Sequence, residues 1–74
     1  MEYQYNLMKL KELIELGANI EVYDNHYNTN SLFEMAKAAN NKGVKLKIHI
    51  RNSEFEDLKK ILEEGQDTVT FIFD

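Results

Sequence analysis

A chain of 74 residues with a 43% hydrophobic share has room for one globular domain, 1–74, and is too apolar for disorder. It has no cysteine, which excludes disulfides and thiolate metal sites, and no apolar run long enough for a membrane span or a secretory core segment. Thirteen acids against nine bases give a net charge of −4, a balance that favours solubility and offers no general reason to bind nucleic acid, while the missing cysteines suit a reducing compartment, so a cytoplasmic protein is expected.

The opening "EYQYN" alternates Tyr3 and Tyr5 with polar neighbours and reads as an optional leading strand. From Asn6, "LMKLKELIEL" places Leu10, Leu13 and Ile14 on one helical stripe ahead of Gly17. "NIEVYD" then alternates as a strand, with Ile20 and Val22 inward and Glu21 and Tyr23 outward. A polar connection follows, "DNHYNTN" over 24–30. The second helix is expected to open at Ser31, where Ser31 and Glu34 have the spacing of a capping box. Its inward positions are Ala36, Ala39 and Asn40, supplemented by Leu32, Phe33 and Met35.

"VKLKIHIR" over 44–51 is the clearest strand, with Val44, Leu46, Ile48 and Ile50 alternating with Lys45, Lys47, His49 and Arg51. The third helix is expected at Ser53, where Ser53 and Glu56 repeat the box, and Leu58, Ile61 and Leu62 face inward. "TVTFIFD" closes the chain, with Val69, Phe71 and Phe73 opposite Thr68, Thr70 and Ile72. The three glycines, Gly17, Gly43 and Gly65, fall where the helices should stop, and left-handed helix caps are expected there.

The order is (β)αβαβαβ. Crossover helices make the strands parallel, so the expected fold is a small α/β domain with a three- to four-stranded, mainly parallel sheet and three helices on one face. "NSEFEDLKKILEEG" aligns without gaps on "NSLFEMAKAANNKG", sharing Asn, Ser, Phe, Glu, Lys and Gly, which points to duplication of an αβ unit. The face away from the helices would carry Glu21, Tyr23, Lys45, Lys47, His49, Arg51, Thr68, Thr70 and Ile72.

Function is then sought on that face and in the loop. Between Lys37 and Arg51 every charge is positive, so the strand face fits an acidic protein partner, with nucleic acid or a phosphorylated ligand through 44–51 as the alternative, or else a solvated face paired across strands with Glu21 and Asp74. The 24–30 loop lies beyond the carboxyl end of a strand, where ligands gather in open parallel sheets. Asp24 and His26 could serve a small ligand or acid–base chemistry there. The loop fails the calcium pattern, with Thr29 where glycine is required, and only His49 could add a second imidazole.

Both serines are assigned to helix caps, and no glycine-rich phosphate loop exists. The reading is therefore a non-enzymatic, regulatory protein-binding module without cofactor or metal. Its contacts are Tyr23, Asp24, His26, Tyr27, Lys45, Lys47, His49 and Arg51. Strand 68–74, the most apolar of the strands, is expected at the sheet edge, where Thr70 and Ile72 would support a homodimer.

Overall fold

The computed structural model describes residues 6–74. Helix α1 spans Leu7–Glu15, strand β1 Ile20–Tyr23, helix α2 Thr29–Lys42, strand β2 Leu46–Ile50, helix α3 Phe55–Gly65 and strand β3 Val69–Phe73. Single 3-10 turns over Asp24–His26 and Gln66–Thr68 follow β1 and α3. The sheet order is β1-β2-β3 and both pairings are parallel, as the crossover reading requires. The leading strand expected over 2–6 falls largely outside the described residues; Asn6 caps α1, its side chain accepting the Lys9 amide at 3.0 Å.

One cluster joins the inward strand residues to all three helices. Val22, Leu46, Ile48 and Val69 pack with Leu10, Ile14, Leu32, Met35, Ala36, Ala39 and Ile61. Strand periodicity therefore sends the odd-numbered residues Glu21, Tyr23, Lys47 and His49 to the opposite face, where Thr70 and Ile72 join them through the register. Helix α2 packs between α1 and α3, and its inward side is built from alanines because it has neighbours on both flanks.

Several local expectations are corrected. Helix α2 opens at Thr29, capped by the Asn28 side chain, which accepts the Ser31 amide at 2.8 Å; the serine box is not used. Helix α3 opens at Phe55 after Glu54, with no side-chain cap, because Ser53 is engaged elsewhere. Gly17 and Gly43 do adopt positive φ, 103° and 81°. At Gly17 the Ala18 and Gly17 amides return to the Leu13 and Ile14 carbonyls, closing α1.

Gly65 is right-handed (φ −93°), and Gln66 takes the positive φ, 52°. Thr68 is not on the outer face: it is buried, and its hydroxyl donates to the Gly65 carbonyl at 2.6 Å. Lys45 and Arg51 flank β2 and lie outside it. Leu13 and Leu62, expected inward, are partly exposed at 38% and 42%.

Candidate functional site

The first connection is organised around one carboxylate. Asp24, directly after β1, is only 3% exposed. Its Oδ1 accepts the Arg51 amide at 2.8 Å, and its Oδ2 accepts the amides of Asn52 (3.2 Å) and Ser53 (2.9 Å). Three consecutive amides of the β2–α3 turn thus close on a side chain from the β1 end, where the free serine cap was expected. Burial alone pushes the Asp24 carboxyl up, but hydrogen bonds from the Ser53 side chain and the three amides outweigh it and hold the group below its ordinary value. Asp24 therefore has its oxygens committed within the chain.

The rest of the loop is also structural in part. Tyr27 packs against the core cluster and Asn28 caps α2. His26 lies 5.3 Å from the Tyr23 ring. A polar hollow of about 350 Å³ opens between this loop and the α3 entrance, lined by Asn25, Asn28, Asn52, Glu54 and Asp57. Among the described residues no group of three His, Cys, Asp or Glu side chains is placed to hold a metal ion.

The outer sheet face brings most of the other nominated residues together. The register sets Tyr23 beside His49 and His49 beside Ile72, and sets Glu21 beside Lys47 and Lys47 beside Thr70. Tyr23 and His49 stack with centroids 4.4 Å apart and planes 13° apart. The Arg51 guanidinium sits 4.9 Å from the Tyr23 ring centre. His49 Nε2 meets Glu21 Oε2 at 2.5 Å, and its Nδ1 meets Asp74 Oδ2 at 3.2 Å. Arg51 Nη2 donates to the same Asp74 oxygen at 3.0 Å.

Both pKa shifts in this network follow from the pairing. The Glu21 hydrogen bond, with Asp74 adding to it, raises the His49 pKa against the opposing effect of desolvation. The His49 hydrogen bond, followed by that of Arg51, lowers the Asp74 carboxyl. The strand face is therefore not an uninterrupted cationic surface. Two of its cations are matched by Glu21 and Asp74, leaving Lys45 and Lys47 exposed and outside the network.

A second surface was missed by the periodic reading. Ile50, Phe55, Leu58, Leu62, Phe71 and Phe73 line an apolar groove of about 400 Å³ between α3 and β3. Phe55 is 70% and Phe73 69% exposed. The alternation placed Phe73 on the helical side, but no described element packs beyond α3 to cover it. The available signal was positional: Phe55 opens its helix and Phe73 closes its strand, so both protrude past the layer they belong to.

Among the described residues no helix is long and apolar enough to cross a membrane. Comparison with protein-family models, with curated proteins and with solved structures returns no match to this chain.

Proposed function

We propose that the protein is a non-enzymatic, cytoplasmic binding module that docks another protein on the outer face of its sheet. The observation that carries this reading is an all-parallel sheet with no described element over one face, on which Tyr23, His49 and Arg51 are already held in mutual contact. Parallel sheets ordinarily have both faces covered, so the missing layer is an expected place for a partner. Tyrosine and arginine are favoured anchors at protein interfaces, and fixing their rotamers beforehand lowers the entropy cost of docking.

Lys47 supplies a positive charge at the centre of the face, while Glu21 and Asp74 disfavour a polyphosphate chain lying across it. A partner presenting a carboxylate to Lys47, with aromatic or aliphatic side chains toward Tyr23 and Ile72, fits this arrangement. The binding test uses Lys47→Glu and Thr70→Glu, both at exposed positions outside the ion-pair network. Affinity capture with the immobilised wild-type protein should recover partners that both variants lose, while the melting temperature stays nearly unchanged. Identical recoveries from all three proteins would remove this face from consideration.

A further inference from the structure

We infer that the chain forms a symmetric homodimer through the free edge of β3, in which two three-stranded sheets join antiparallel into one of six strands. This inference stands without the outer-face docking reading, although Thr70 and Ile72 of the same strand belong to that face, so Lys47→Glu is the variant that tells the two apart. Among the described residues β3 pairs with β2 alone, and the groove lined by Phe55, Leu62, Phe71 and Phe73 lies between it and α3.

Exposed strand edges are normally protected by charges, prolines or bulges. Val69–Phe73 carries no charge, and the protein contains no proline. The neighbouring Asp74 is turned onto the outer face by His49 and Arg51. The opposite edge differs: β1 has four residues, including the charged Glu21. Of the two edges, β3 alone combines length, neutrality and an adjoining apolar surface.

The chemistry selects a second copy as the occupant. A strand edge without charge is its own electrostatic complement, and a two-fold axis near Phe71 would bring like apolar side chains together, with Lys59, which lies over the Phe55 ring and pairs with Glu56, as the charged group lining the groove. Phe55 and Phe73 at 70% and 69% exposure, with Leu62 at 42%, leave roughly 300 Å² of apolar side chain in water, since an aromatic side chain buries about 150–250 Å². That is a substantial part of the roughly 800 Å² per partner in a standard interface, before the strand backbone and Phe71 are added. Pairing of the edge amides gives the contact its direction.

Sedimentation equilibrium from micromolar to near-millimolar concentration tests this inference. The wild-type protein should reach twice its 8.7 kDa mass, with concentration-dependent slowing of amide exchange confined to Val69–Phe73. Phe73→Glu and Phe55→Glu alter exposed side chains and should each return the protein to 8.7 kDa with an unchanged circular dichroism spectrum. Lys47→Glu should leave the dimer intact. A wild-type protein that stays monomeric throughout overturns the inference. So does a dimer indifferent to both phenylalanine variants, or a monomer whose β3 edge is protected only by a different protein.

Discussion

Asp24 shows how one side chain can be chemically conspicuous and yet be used by the fold. In the sequence it opens a loop rich in Asn, two residues before a histidine, and reads as a ligand contact. Its three amide donors come from Arg51, Asn52 and Ser53, more than two dozen positions away, and no local pattern reveals that approach. Asp24→Asn replaces an acceptor pair by one acceptor and one donor, leaving at least one amide facing an N–H group. Hydrogen bonds to a charged group contribute more than neutral ones, and a buried donor left without a partner costs its desolvation, so the loss should be roughly 2–4 kcal/mol. Urea unfolding at neutral pH measures it, and a loss near zero would mean that water replaces the carboxylate. The sign of the pH dependence follows from the lowered carboxyl: its contribution is present above the ordinary value of 3.8 and disappears as pH falls through the folded value. The gap between wild type and variant should therefore close in acid.

Among the elements, the αβ junctions were the most legible feature and their chemistry the least. Glycines mark all three helix ends, and two of them cap as expected because only a residue without Cβ enters the left-handed region cheaply. Gly65 has a different reason to be glycine. A Cβ there would lie 2.1 Å from Val69 Cγ2 and 3.1 Å from Ala36 Cβ, so the position is set by the close approach of α3, α2 and the start of β3. Gly65→Ala should cost about 1–3 kcal/mol through overpacking. Val69→Ala removes the obstructing methyl, so the double variant should be less destabilised than the two single losses summed; strict additivity in a thermal or denaturant cycle would reject the steric explanation. The aligned helices also part company here. Gly43 is left-handed and Gly65 is not, and the upstream helix begins beside its Asn28 cap whereas α3 begins at Phe55. The shared Asn, Phe and Lys positions therefore do not carry shared end geometry.

For the whole molecule, the parallel pairing and most of the inward strand residues followed from alternation and the crossover helices, whereas the order β1-β2-β3 did not, because the same alternation serves a strand at the centre or at the edge of a three-strand sheet. The electrostatics of the outer face were legible only as the alternative of cross-strand pairing with Glu21 and Asp74; which base meets them depends on register, and both acids reach His49 only once β1, β2 and β3 are laid side by side. His49 thereby links the central strand to β1 and to the end of β3. Because its pKa is raised, this contribution is fully present below the ordinary histidine value of 6.5 and is lost as pH rises through the folded value. The lowered Asp74 carboxyl works in the other direction, contributing above its ordinary 3.8 and failing as pH falls through its folded value. The linkage should consequently be strongest between about pH 4 and 6.5 and decline on either side. His49→Gln keeps a polar side chain but cannot carry the charge, and it also loses the Tyr23 stack, a loss that does not vary with pH. Melting temperatures of the two proteins should differ most inside that window and draw closer as His49 discharges, without meeting. A difference that stays constant from pH 5 to pH 9 would show that the ring acts by stacking alone and that the strands are not linked through its charge.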